Sequence, residues 1–304
     1  MKYRLPWGEL YTDDFSKADV VILGIPFDSA VSNRKGAAEA PDKIRELSRI
    51  LPPVTEEALI LKDLKVYDDD NVEITLDWQE YFKEVEEKAA NLIKSGKFCI
   101  FIGGDHAVTI PLETAFAKVN KGEKIGIIHF DSHPDIIDTY DGHPWSHACT
   151  QRRALELDAI QPEGLTFIGL RSYMEEEVKF FEKHPEITII GAREVYKKGI
   201  DYVINTVKEK YKDYTKIYIT LDIDVLDPAF APGTGTPEAG GLSTRELIEL
   251  VRDMILSLPV EAMDIVEVAP PLDSSDITSW AALKTIYEVL GAVYVKKNEY
   301  VRIL

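Results

Sequence analysis

The chain has 304 residues and a formal net charge of −18 at pH 7, long enough for one large α/β domain with a substantial core and too acidic for nucleic acid or an anionic membrane, whose phosphates need a basic face. No stretch reaches the roughly 20 apolar residues of a membrane span, the opening MKYRLPWGELYTDD lacks the apolar core of a signal peptide, and two cysteines, Cys99 and Cys149, are too few for a disulfide framework. A soluble cytoplasmic protein is expected, and a small cationic substrate is compatible with its charge.

In chain order, short runs rich in Val, Ile and Phe alternate with amphipathic stretches. VVILGIP leads to EAPDKIRELSRI. WQEYFKEVEEKAANLI carries Trp78, Tyr81, Phe82, Val85, Ala89, Leu92 and Ile93 at helical spacing, which predicts a core-facing helix. KFCIFIGG precedes VTIPLETAFAKV, and KIGIIHFD precedes a segment running through QRRALELDAI. LTFIGL, ITII, KIYITLDID and AMDIVEV continue the pattern. Strands that are apolar throughout, alternating with helices, predict a mainly parallel sheet with helices on both faces, a three-layer α/β/α architecture. No internal repeat, low-complexity tract or Pro/Ser linker divides the chain, so one domain spanning 1–304 is expected.

Acidic clusters fall at the ends of these runs. GGDH follows KFCIFI, DSHPD follows IGIIHF, DIDVLDP follows IYITL, and Glu267 closes AMDIVEV. All four sit at the carboxyl ends of predicted parallel strands, the edge where open α/β sheets bind ligands. Within IHFDSHPD, Asp131, His133 and Asp135 occupy alternate positions and share a face in extended chain. Pro134 ends any regular ladder there, so Asp131 is expected on the strand and Asp135 in the turn beyond it.

The collected side chains are His106, Asp131, His133, Asp135, Asp222 and Asp224. Four crowded carboxylates raise one another's pKa values unless cations are bound, and two divalent ions would balance four charges. Oxygen donors with two imidazoles suit Mn²⁺ best, with Co²⁺, Fe²⁺, Ni²⁺ or Zn²⁺ also compatible. Two such ions share a bridging water and make hydroxide available near neutral pH, which points to metal-assisted hydrolysis. Taken singly, each motif has a plainer reading: a loop histidine after Gly-Gly, or a strand-end Asp capping a turn. Their joint occurrence at one sheet edge favours the metal site. His129 shares strand parity with Asp131 but lies further back, where a buried histidine behind the ligands is expected. Asp105 and Asp227 neighbour ligands and suit turns as well as orientation.

The segments GGDH, FDSHPD, LDIDVLDPAFAPGTGTPEAGGLS and MDIVEVAPPLD resemble, in order and spacing, the signatures of the ureohydrolases, the arginase and agmatinase family, and GIPFDSAVSNRKGAAEAPDKIRE resembles its amino-terminal region. The resemblance implies an arginase-like fold of about eight strands and two Mn²⁺ ions on His106, Asp131, His133, Asp135, Asp222 and Asp224. It also implies hydrolysis of a guanidino group to urea and an amine by a metal-bridging hydroxide. Asp135 would pass the proton to the departing amine, and Glu267 would pair with the substrate guanidinium, whose geometry a carboxylate matches. For the mobile histidine that serves as proton shuttle, SHACTQRR matches the family's Ser/Thr-His-Gly segment and double Arg, which indicates His147; Ala148 replaces the usual Gly. His143 is a second candidate, at the substrate loop. Cys149 has no evident partner that would lower its pKa.

Within the family, arginases carry an Asn two residues after the last acid of Asp-x-His-x-Asp and an Asp after a Gly-Leu-Arg strand end; here stand Ile137 and GLRSYMEE. These departures, with Arg34 and the Arg152-Arg153 pair, resemble agmatinases, so agmatine, giving putrescine and urea, is the expected substrate. Arginine and guanidinobutyrate or another ω-guanidino acid are the alternatives. Asp138, Asp141 and Glu175 are candidate partners for an amine tail. A single-zinc deacetylase would want a His-His pair that is absent, an inactive scaffold would lack ligands, and a phosphoesterase would leave GTGTPEAGG and Glu267 unexplained. The family resemblance also implies a trimer or hexamer.

Overall fold

The computed structural model describes residues 5–298. Among the described residues, eight strands form one parallel sheet: β1 (Val20–Ile25), β2 (Val66–Asn71), β3 (Phe98–Gly103), β4 (Ile125–Phe130), β5 (Leu165–Ile168), β6 (Thr188–Ile190), β7 (Lys216–Asp222) and β8 (Val260–Val266). Their order across the sheet is β2-β1-β3-β8-β7-β4-β5-β6. The helices are α1 (Ala40–Ser48), α2 (Trp78–Lys94), α3 (Thr109–Val119), α4 (Thr150–Ala154), α5 (Glu175–Lys183), α6 (Ala192–Lys198), α7 (Ile200–Tyr211), α8 (Thr244–Ser257) and α9 (Ile277–Lys297). Among the described residues, no helix is long and apolar enough to cross a membrane.

Apolar side chains leave each strand on alternate sides, which divides the core in two. Val20 and Ile22 join the cluster covered by α1 and α6 to α9, whereas Val21 and Leu23 join the one covered by α2 to α5. This is the three-layer arrangement that continuous apolar strands predict. The aromatic face of WQEYFKEVEEKAANLI is core, with Tyr81, Phe82 and Val85 buried.

Two elements depart from the sequence reading. VYDDDN gives no apolar signal, yet it forms edge strand β2, held by Arg45 of α1, whose guanidinium bonds Asp68 at 2.8–3.1 Å and the Asp70 carbonyl at 2.8 Å. QRRALELDAI yields only the short α4.

The strand order assembles the site. The chain runs directly from β3 to β4, but β8 and β7 later fill the space between them. The four acidic segments therefore follow four adjacent strands, at a topological switch point where the connections diverge and open a crevice. Phe27 packs across this edge: Asp105 N donates to its carbonyl at 2.7 Å, and a Cβ on Gly104 would meet that oxygen at 1.8 Å, so only glycine fits there.

Candidate metal centre and active site

Each ligand candidate is aimed by a sharp turn at a strand end. Short 3-10 turns at His106–Val108, His147–Cys149 and Ile223–Val225 are capped by the side chains of Asp105, Ser146 and Asp222. β4 stops at Phe130, one residue earlier than expected, though Asp131 N still donates to the Ile168 carbonyl at 3.1 Å. Asp135 and Glu267 both adopt left-handed backbone, φ 50° and 62°. Strain of that kind in non-glycine residues collects where function needs a side chain re-aimed.

His106 is fully buried. Its Nδ1 lies 3.1 Å from Asp131 Oδ2, 3.0 Å from Asp135 Oδ2 and 3.3 Å from Asp222 Oδ2, yet forms no well-aligned hydrogen bond. Beside it, Asp131, His133 and Asp224 make a second group, with His133 Nδ1 3.2 Å from Asp224 Oδ2 and 3.6 Å from Asp131 Oδ1. Ligand atoms of His106, His129, Asp131 and Asp135, and separately of Asp131, His133 and Asp224, lie within 4.8 Å of one another. The structure thus gathers all six ligand candidates, with Asp131 common to both groups.

The electrostatics describe a site short of positive charge. Burial alone would discharge His106, but Asp131, Asp135 and Asp222 hold its pKa well above the ordinary value. His133, also disfavoured by burial, is pushed up to about 12 by Asp224 and Asp131. Burial works against ionisation of Asp131 too, yet bonds from three histidines take it well below the usual range. Asp222 and Asp224 are raised, first by burial and then by neighbouring carboxylates. Protons are forced onto groups around a point that a divalent cation would neutralise. An orphaned imidazole nitrogen facing three carboxylate oxygens fits a cation and fits no protein donor.

His147 is buried beside this cluster, its Nδ1 3.0 Å from Glu267 Oε1 and its Nε2 2.9 Å from Ser32 Oγ. Two influences oppose each other here. Burial lowers its pKa, and Glu267 more than compensates, taking it to about 9; yet the Ser32 N–H donates to Nε2 at 3.0 Å, which demands a lone pair there. A backbone N–H cannot become an acceptor, so Nε2 keeps its lone pair. Nδ1 carries the proton, towards Glu267. Glu267 Oε1 also accepts from His106 N at 2.9 Å, so one buried carboxylate joins the His106 turn to His147.

A cleft of about 140 Å³ opens over these groups, lined by Ser32, His133, Asp135, Tyr140, His147, Ala148, Ser172, Tyr173, Met174, Glu177, Asp222 and Thr236. His143 is not brought to it: its ring packs against Trp78 and Trp145 at 4.8 and 6.4 Å, and the residue is exposed. Asp138 is paired with Arg153 and Arg152, and Glu175 with Lys179, so neither lines the cleft. Asp141 lies exposed in a turn outside it. Cys149 is buried, its thiol pushed up to about 11 by burial. A larger groove of about 550 Å³ at the opposite edge of the sheet, by Lys121, Lys124 and Tyr214, holds none of the ligand candidates.

Several further residues support the ligand candidates from behind or beside them. His129 Nε2 lies 2.9 Å from Asp131 Oδ2, behind the ligands as its parity suggests. Ser132 donates to Asp224 Oδ1 through N and Oγ, at 3.1 and 2.7 Å, and Thr236 reaches Asp224 Oδ2 at 3.3 Å. Arg171 donates to the carbonyls of Asp224, Leu226 and Glu238, tying DIDVLDP to GTGTPEAGG. Arg34 holds the far side of that loop through the Thr234 and Gly235 carbonyls. Asp105 accepts from Ala30 N at 2.8 Å, fixing the segment that presents Ser32, whereas Asp227 accepts from Ala229 N in its own turn and from Gly240 N in the GTGTPEAGG loop.

Residues 18–291 match the model of the arginase family. The agmatinase of Bacillus anthracis is 38% identical over 282 residues, 91% of this chain and 92% of that protein. The structure of agmatine ureohydrolase from Thermoplasma volcanium superposes with a TM-score of 0.87 at 29% identity, covering 97% of this chain and 96% of that one. Formimidoylglutamase from Bacillus subtilis gives a TM-score of 0.87 at 26% identity, over 94% of this chain and 91% of that one. The match runs from the residues before β1 into α9 and takes in all four acidic segments, and on that ground the chain belongs to the arginase family.

Proposed function

We propose that this metal-dependent ureohydrolase hydrolyses agmatine to putrescine and urea with two Mn²⁺ ions, as a cytoplasmic homo-oligomer. The observation that carries the reading is His106 Nδ1, facing three carboxylates at 3.0–3.3 Å beneath a cleft that also holds His133 and His147. His106, Asp131, Asp135 and Asp222 would hold one ion, and Asp131, His133 and Asp224 the other. When bound, the ions supply the Lewis acidity that ionises water near neutral pH, which a resonance-stabilised guanidinium carbon requires.

The chain's own residues then divide the remaining work. Glu267 is the carboxylate we assign to the guanidinium, and its bond to His147 Nδ1 keeps that ring's Nε2 turned towards Ser32 and the cleft. Asp135, on the cleft wall, is the group we assign to proton delivery to the departing amine. The substrate's tail meets Tyr140, Tyr173, Met174 and Glu177, and no Lys or Arg is among the lining residues. An acidic, aromatic wall suits an ammonium tail; the carboxylates of arginine, guanidinobutyrate or formimidoylglutamate would find no Lys or Arg partner in this lining.

The test is a substrate panel. Mn²⁺-loaded protein is offered agmatine, arginine, 4-guanidinobutyrate and an acetyl-lysine peptide, with urea and acetate assayed separately. Urea chiefly from agmatine is expected. Urea chiefly from another guanidine would overturn the substrate, and no urea from any of them would overturn the reaction.

A further inference from the structure

Behind His106, on the side away from the cleft, lies a buried polar cluster with no part in the reaction described above. Its centre is Asp264 of β8, with no exposed surface. Oδ1 accepts from Leu221 N at 3.3 Å and from the Thr220 hydroxyl at 2.8 Å. Oδ2 accepts from the hydroxyls of Thr109 and Tyr218, each at 2.8 Å. Four donors from β7 and α3 thus converge on one side chain. Burial raises the carboxyl's pKa, and the nearby His106 and the Thr220, Thr109 and Tyr218 hydroxyl bonds oppose that rise by favouring the charged form.

The direction of these bonds has a consequence for the metal centre. A hydroxyl has one proton, and that of Thr220 is committed to Asp264 Oδ1, which the Leu221 N–H already marks as an acceptor. Towards His106 Nε2, 2.8 Å away, Thr220 Oγ1 can only accept. Nε2 therefore carries the ring proton. In the neutral ring that a cation ligand requires, Nδ1 then keeps the lone pair, and it is Nδ1 that points at Asp131, Asp135 and Asp222. A ligand histidine whose second nitrogen is held by an oriented acceptor is fixed in both tautomer and ring angle.

We propose that Asp264 is a positioning residue which, through Thr220, holds His106 in the Nε2–H tautomer and so presents Nδ1 as a cation ligand. This rests on the metal-holding role given to His106 and is independent of the substrate. Nothing local in the sequence marks it, because Asp264 lies mid-strand in a run that otherwise reads as apolar core.

The test is equilibrium dialysis of Mn²⁺ against the wild type, Thr220→Ser and Thr220→Val, with thermal melts of each metal-free protein to confirm folding. Serine keeps the hydroxyl and should bind within about threefold of the wild type, whereas valine keeps the shape without it and should weaken one Mn²⁺ equivalent by about 10–100-fold. A folded Thr220→Val protein with wild-type affinity for every equivalent would overturn the proposal. If that variant fails to fold, the ring-nitrogen shifts of ¹⁵N-histidine-labelled, Zn²⁺-loaded wild type decide: a protonated Nε2 on His106 supports the relay and a protonated Nδ1 overturns it. Because dialysis reads metal alone, failure of agmatine hydrolysis leaves this result standing. A wild type that binds no Mn²⁺ overturns the metal-holding role, and this proposal with it.

Discussion

Glu113 of α3 and Gln151 of α4 face each other in the core beneath the site, and their hydrogen bonding is unfinished. Gln151 Nε2 donates to Glu113 Oε1 at 2.9 Å, but Glu113 Oε2 and Gln151 Oε1 make no bond among the described residues. Burial pushes Glu113 up to about 8, the Gln151 bond opposing slightly, from an ordinary value of 4.5. Between those pH values the folded chain holds a proton that the unfolded chain has released, so Glu113 makes stability fall as pH rises, by up to about 1.4 kcal/mol per unit. Glu113→Gln removes that slope and supplies a donor for Gln151 Oε1. Urea midpoints of the chelated proteins at pH 5.5 and 8.5 check it: the variant should gain on the wild type at the higher pH, and an equal gap at both values would refute the assignment. The same scale shows what single residues disclose. His106, Asp131 and Asp222 were legible because they close apolar runs, and strand parity placed His129 behind them, whereas Ser32 was not read as a contributor, since Ser in that place is ordinary.

At the scale of elements, polarity hid β2. Its three consecutive aspartates read as loop, and only the neighbouring helix makes them strand: the side chains of Arg45 and Asp68 are each only 7% exposed, and Trp7 Nε1 adds a 2.6 Å bond to the same carboxylate. Removing one partner of such a pair leaves an uncompensated buried charge. Arg45→Ala should cost about 3–5 kcal/mol in urea-induced unfolding, and a loss below about 1 kcal/mol would show that water reaches Asp68. The strands of the site were legible for the opposite reason. Strands β3, β4, β7 and β8 are covered on both faces, so their residues are mostly apolar and an acidic residue stands at or just past each strand's end, although His129 in β4 and Glu261 and Asp264 in β8 interrupt the runs. α4 was overread, because the pattern in QRRALELDAI continues past the point where the chain turns away at Leu155.

For the whole molecule, the candidate metal centre joins segments separated by more than a third of the chain, from His106 to Asp224. Ions held there favour the folded state by mass action, since the unfolded chain cannot assemble the ligands; at a hundredfold excess over Kd the gain is about 2.7 kcal/mol. Chelation should therefore lower the melting temperature by about 5 °C, restored by Mn²⁺. A melting temperature indifferent to chelator and Mn²⁺ would argue against occupied sites in the protein as purified.

The sequence by itself determined the layered parallel architecture and which residues stand at the carboxyl edge of the sheet, because hydrophobic periodicity is a local property that each strand and helix carries alone. Only the tertiary structure decided that β3, β8, β7 and β4 lie side by side, that Glu267 reaches both the His106 turn and His147, that His143 turns to Trp78 instead, and that Asp264 backs His106. The reason is physical. Periodicity specifies the face a side chain leaves from, while the partner it meets there is chosen by strand order and by turns whose closure depends on segments far away in the chain.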